Sequence, residues 1–328
     1  TSQSGEIKAE TLKLNGNGTF ENLGDIEVDQ ELSLELSLLS NKGSISTGVI
    51  NCSRNLGSIS NYPGALIKIR DGSLDLAKTT SLGNLGTIDA KTLSLNSDKT
   101  VLYQSGTLKA ATISLTGVNP FTNSGRIIAS QKLNLNLPTF TNQKAIEAPL
   151  IDISQVTELT NAKGAVIDAG GSNLTFKNKA RVVNEGALKG GDYVFDGGSL
   201  AQSGVIDGKS LKLDDVVVTT TDSQTINLSG NLEQSKSGSW SIRGTINANK
   251  YTRFGDIDLH GTLNLKDSFE GRGTIHKGGT LRAKRVSFYS GVLLNGDLVT
   301  DTLAFESPSS KFTVNGQALI KQSAKIGT

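Results

Sequence analysis

Gly86–Ser97 reads GTIDAKTLSLNS, and Gly106–Gly117 reads GTLKAATISLTG. The phrase occurs first at Gly5 (GEIKAETLKLNG) and again at Gly204 (GVIDGKSLKLDD). Within it, apolar and polar residues alternate: Ile88, Ala90, Leu93 and Leu95 point one way, Thr87, Asp89 and Ser94 the other. A period of two means strand, and no stretch keeps the i, i+3, i+4, i+7 spacing of a helix.

Weaker copies fill the gaps. Gly24 and Gly125 carry the phrase with one extra residue between its halves. Lys144 keeps the apolar positions without the glycine, Gly186 keeps the spacing with aromatics, and Gly244 keeps the first half. A second phrase, apolar-x-(Asn or Gln)-x-Gly, precedes the starts: FENLG at Phe20, LSNKG at Leu39, LGNLG at Leu82, LYQSG at Leu102, FTNSG at Phe121, VVNEG at Val182 and LAQSG at Leu200. The register positions 5, 24, 43, 64, 86, 106, 125, 144, 164, 186, 204, 224 and 244 recur about every 20 residues, a period of solenoid proteins. Beyond Gly244 the glycine phrases at Gly261, Gly279, Gly296 and Gly316 come at shorter steps.

One such unit, with strands of four or five residues, cannot bury its apolar face alone. Stacked coils can, each forming parallel ladders with the next. The reading is therefore all-β, a right-handed parallel β-helix of about 16 coils of roughly 20 residues, with shorter coils towards the C-terminus. The repeated Asn or Gln gains a role as an amide ladder at one corner, and the glycine as a tight bend that a Cβ would resist. Asn51–Thr80 departs from the phrase and reads as an irregular coil or a loop leaving the stack. Asp214–Gln224, rich in β-branched residues, reads as the third face of one coil. The step change divides one continuous array into residues 1–248 and a shorter-step continuation, 249–328.

Charge restricts the partners. Thirty-three Lys and Arg against 31 Asp and Glu leave a net charge of +2, without the basic excess expected for nucleic-acid binding. No apolar run approaches the ~18 residues of a membrane span, so no membrane insertion is expected. No secretory leader opens the chain and Met is absent, which reads as a mature or cut fragment whose targeting signal lies elsewhere. Cys52 stands alone, which excludes an internal disulfide or a multi-cysteine metal site.

Candidate chemistry is sparse. Glycoside hydrolysis needs two carboxyls at a set separation; Asp214 with Asp215, and Asp192 with Asp196, are the pairs to weigh against ordinary solvated turns. Neighbouring residues on a strand face opposite ways, so Asp214 and Asp215 cannot both line one groove. His260 and His276 lie about one short coil apart and can stack; with Asp256 or Asp258 they would make a three-ligand metal site. Asp196–Leu200 (DGGSL) is a solitary echo of calcium-binding repeats. Asn17 and Asn173 head glycosylation sequons. None of these patterns is sufficient to assign a catalytic, metal or cofactor residue, and none is expected. One local feature stands out: Arg272, Lys277, Arg282, Lys284 and Arg285 with Tyr289, a basic and aromatic group suited to an anionic glycan or lipopolysaccharide headgroup.

The combined pattern N-x-G-x-I-x-A-x-x-L-x-L, clearest at Asn84–Leu95, Gln104–Leu115 and Asn123–Leu135, resembles the repeats of filamentous haemagglutinin-like exoproteins. These are the two-partner-secreted adhesins and contact-dependent inhibition proteins of Gram-negative bacteria. The resemblance covers Gly5 to Ala248. It implies a non-enzymatic segment of a secreted or cell-surface fibre, serving as a stalk or as a receptor-binding region. Its partners would be a host or target-cell surface receptor or glycan and, through other parts of the parent, an outer-membrane secretion partner. No secretion-domain signature or toxin-like domain is recognisable. The alternatives are a β-helical polysaccharide lyase or glycosidase, and a self-assembling scaffold similar to bactofilins, suggested by the GTL and GDL phrases after Gly244.

Overall fold

The computed structural model describes residues 1–52, 56–76, 79–98, 101–235, 240–307 and 311–326. It is a β-solenoid of about 16 turns at ~19 residues per turn, and among the described residues there is no helix. Strand accounts for 71% of the chain, so little beyond the corners is left over. The chain forms two compact units, Thr1–Val156 with Ala165–Gly170, and Thr157–Gly164 with Gly171–Thr328.

Each coil of the first unit has three faces, and the alternation of the sequence decides what fills them. On the first face Ile26, Ile45, Ile67, Ile88, Leu108, Ile127 and Ile146 stack in one column. On the second, Leu93, Ile113 and Leu133 do the same. On the third, Leu39, Ile59 and Leu82 lead to the amide corner. All of these are buried. The extra residue read in the copies at Gly24 and Gly125 is accommodated as a bulge, between Ala9 and Thr11 against the Gly24 coil and between Ala110 and Thr112 against the Gly125 coil.

Of the two expectations for Asn51–Thr80, the irregular coil is the one the described residues show. Ser58–Asn61 and Leu66–Ile69 pair with the coils on both sides and Ser73–Asp75 with the following coil; residues 53–55 and 77–78 lie outside the described residues. Its phrase was obscured by two residues inserted at the corner, where Tyr62, Pro63 and Gly64 stand between Asn61 and Ala65. Ala65, not Gly64, occupies the glycine position: Leu66 N–H bonds the Gly43 carbonyl, and Thr87 N–H bonds that of Ala65. Gly64, at φ +80°, makes the longer turn.

The corner itself is built from amides. Gln3 donates to Asn22, Asn22 to Asn41 at 2.8 Å, Asn41 to Asn61 at 2.9 Å, Asn61 to Asn84 at 2.9 Å and Asn84 to Gln104 at 2.9 Å. The four asparagines have no exposed surface. Each also donates to a main-chain carbonyl of the next coil, as Asn84 does to Thr107 at 3.1 Å. Gln104 accepts from Asn84 and turns its own N–H groups to the carbonyls of Gly106 and Arg126. Its extra methylene carries the amide past the ladder, and a new pair starts at Asn123, which donates to Asn142.

The glycines beside this ladder have a different cause from the bend expected. Gly24, Gly43, Gly86, Gly106 and Gly125 are absent from the positive-φ residues. A Cβ on Gly106 would instead lie 2.1 Å from the Gly86 carbonyl oxygen, and one on Gly125 2.0 Å from that of Gly106. At these glycines the coils approach too closely for a side chain, whereas the coils that carry Ala65 and Lys144 at this register accept one.

The second unit starts with the same corner and then changes it. Asn161 donates to Asn184 at 2.9 Å and Asn184 to Gln202 at 3.0 Å; Gln202 turns back to the Gly204 carbonyl. Val217–Thr220 forms the third face of its coil, as its composition suggests, with Thr220 on Gln202. From there the corner is aliphatic: Ile242, Leu259, Ile275, Leu294 and Val314 follow in register. Over the same coils the second face carries a column of rings, with Tyr251–Phe269 at 5.4 Å, Phe269–Phe288 at 5.5 Å and Phe288–Phe305 at 5.9 Å. Coil-to-coil separations are 17 residues from Asn247 to Asn264 and 18 from Asp267 to Arg285, against 19 to 23 along the first unit's asparagines. Arg253 is buried on the second face, in register with Gln234 and beside Tyr251, whose phenol burial pushes up to about 12.

Two substitutions test this account. Asn84→Ala strands the donor of Asn61 and is expected to cost ~1–3 kcal/mol in urea unfolding. Gly106→Ala should cost at least as much through overpacking, ~1–3 kcal/mol, whereas Gly18→Ala, with nothing within 4 Å of its Cβ, should leave the midpoint nearly unchanged.

Candidate functional site

The interior is fully engaged in coil-to-coil contact, so any site lies on the outward positions. The six residues singled out by sequence fall in the second unit and on several of its faces. Arg272 is on the third face and pairs with Asp256 at 2.8 Å. Lys277 sits in the corner turn before Gly278 and Gly279. Arg282 is on the first face, over Asn264. Lys284 and Arg285 follow towards the second face, where Arg285 grips Asp267 through two contacts of 2.8 and 2.9 Å. The Tyr289 hydroxyl donates to Glu270 at 3.0 Å, and loss of hydration with that carboxylate raises its pKa. Three of the six are therefore held by acidic partners; Arg282, Lys284, Arg285 and Tyr289 share the strand Thr280–Leu294, which turns from the first face to the second, so the six do not form one surface.

The aspartates are likewise engaged. Asp192 accepts from Ser210 at 2.6 Å, Asp214 accepts from Ser235 at 2.8 Å, and Asp215 leaves the strand at φ +56°. Asp196 stacks in register on Asp214 of the next coil. His260 and His276 do stack, with ring centroids 3.9 Å apart and planes 7° from parallel, and His276 Nε2 lies 3.3 Å from Asp258. Among the described residues no three His, Cys, Asp or Glu side chains come together to hold a metal ion. Cys52 is half-buried, and burial with the Asp75 charge pushes its thiol up to about 11, so it is no thiolate nucleophile at neutral pH. Of the sequon asparagines, Asn17 is exposed and Asn173 accepts the Asp192 N–H at 2.9 Å.

A site that sequence reasoning missed lies on the first unit's third face. The outward residue before each corner amide runs Glu21, Ser40, Ser60, Gly83, Tyr103. Tyr103 is 69% exposed on a strand where its neighbours are small. The column just past the amide carries Leu23, Lys42, Tyr62 and Leu85, of which Leu23, Tyr62 and Leu85 are exposed large apolar residues. Lys42 lies 5.1 Å from the Tyr62 ring centre and 2.7 Å from Glu21. The signal was visible as the single aromatic in the pre-amide position of the phrase LYQSG. Comparison with protein-family models, curated proteins and solved structures gives no match for the chain.

The histidine stack has a measurable consequence. Partial burial, then the charges of His276 and Arg243, lower the pKa of His260 below its ordinary 6.5. The unfolded chain then takes up the proton first, so this contribution to stability is complete above pH 6.5 and is lost as the pH falls below it. Thermal midpoints measured down that range should fall less steeply for His260→Gln than for the native protein; equal slopes would remove His260 from the account.

Proposed function

We propose that the chain is a non-enzymatic segment of a large bacterial surface or secreted exoprotein of the filamentous haemagglutinin-like kind, working as a stalk that also displays a recognition surface. One observation carries this reading: from Asn22 to Gln104 successive coils repeat one amide corner, each stacked on the last, so that contact energy comes from nearest neighbours and length is gained coil by coil. Such construction suits reach. The outward side chains remain free to vary without disturbing the stack, as the change from Gly83 to Tyr103 at one position illustrates. Export would depend on an outer-membrane partner acting through other parts of the parent, and the receptor would be a surface molecule or glycan of a host or target cell.

The test is protease shaving of intact cells that make the protein, with peptides identified in the supernatant. Peptides from Gly5–Gly244 should be released while a cytosolic marker stays inside; release only after lysis overturns the surface assignment. In parallel, neutral and acidic polysaccharides incubated with the purified protein should gain no new reducing ends or unsaturated products. Turnover would replace the stalk reading with that of a β-helical carbohydrate-active enzyme.

A further inference from the structure

From the third face of the first unit we infer a binding groove for a neutral oligosaccharide, with Tyr103 as its stacking platform. The inference rests on the reading of the chain as a displayed surface segment and gives that segment a ligand class.

Four observations meet there. First, Tyr103 keeps 69% of its surface in solvent, and Leu85 49%, diagonally across the corner. Large apolar groups gathered on one strip of a soluble surface mark an interaction site. Second, Tyr103 stands in register over Gly83, and Gly83 is not a glycine for backbone reasons. It has no positive φ, and a Cβ there would meet only the Ile59 carbonyl at 4.0 Å. The corner glycines Gly86 and Gly106, by contrast, have carbonyl oxygens at 2.4 and 2.1 Å from the same point. The missing side chain at Gly83 leaves an open recess against the tyrosine. Third, that recess is a mainly apolar groove whose floor and rim include Leu85, Leu102 and Pro120, with hydroxyl groups supplied by Ser105, Thr122 and Ser124. Fourth, Lys42, the cation of this strip, is already held by Glu21.

A ring presented beside hydroxyl groups fits a pyranose, whose C–H face packs on the aromatic while its hydroxyls exchange hydrogen bonds with the rim. An anionic glycan would find its cation occupied. A peptide seeking strand addition would find the main chain here already paired on both sides, since the Tyr103 strand lies parallel between its neighbours in the ladder. A groove that runs across coils also offers its contacts at the strand spacing of ~4.8 Å, which suits a ligand that repeats along its own length.

The experiment titrates the purified protein with cellohexaose, maltohexaose, laminarihexaose and chitohexaose, and with a heparin hexasaccharide as the anionic control, by saturation-transfer NMR and calorimetry. At least one neutral hexasaccharide should bind with transfer from a tyrosine ring. Tyr103→Ala and Gly83→Thr, the second filling the recess with the residue found in register at Thr122, should each weaken it about tenfold or more. Both positions are outward, and unchanged thermal midpoints verify that the fold is intact. Binding of none of the neutral sugars, binding of the heparin fragment alone, or affinity equal in both variants overturns the inference. Tyr103-dependent binding in a protein that shaving finds inside the cell would sink the surface reading and leave the groove standing.

Discussion

The close stacking of one coil on the next governs everything else in this protein. At the corner the main chains meet so tightly that a carbonyl oxygen of one coil occupies the place of a Cβ in the next, as Gly86 does above Gly106. That approach brings the asparagine amides within 2.8 to 2.9 Å of one another and lets each satisfy a buried main-chain carbonyl as well. A buried amide without partners would cost a few kcal/mol; here the ladder turns that liability into a specification of register. A slip by one residue would place an apolar side chain where only an amide fits, and would turn the isoleucine column outward.

The second unit shows that this is one solution among two. Past Thr220 the corner is aliphatic, and rings from Tyr251 to Phe305 stack across the same coils. Aromatic pairs contribute ~0.5–1.5 kcal/mol beyond burial, comparable with a hydrogen bond. Steps of 17 and 18 residues occur over these coils.

Much of the fold could be read from residues alone. Alternation gave strands, the 20-residue phase gave the solenoid, and the Asn-x-Gly phrase located the corner. The glycine was legible as necessary, but its reason was not: tight approach between coils is a tertiary fact, invisible in a single phrase. The coil over Asn51–Thr80 was hidden because two extra turn residues at its corner put Ala65, not a glycine, four positions after Asn61 in place of the usual two. Surface chemistry was harder still. The basic group around Arg285 is dense in sequence, yet the coil sends neighbours to different faces and Asp267 and Asp256 take two of its cations. Tyr103 is the converse case: a single residue in sequence, it becomes part of a strip only when Tyr62 and Leu85 arrive from earlier coils.

The amide ladder also has a sense. From Gln3 to Asn84 each amide donates to the amide of the following coil, and from Asn22 to Gln104 each amide oxygen accepts from the preceding one. A chain that winds from its N-terminus therefore ends, at each stage, on an amide hydrogen that the next turn must cap. Gln104 and Gln202 interrupt that sense, each folding an amide hydrogen back on its own turn, at the carbonyls of Gly106 and Gly204.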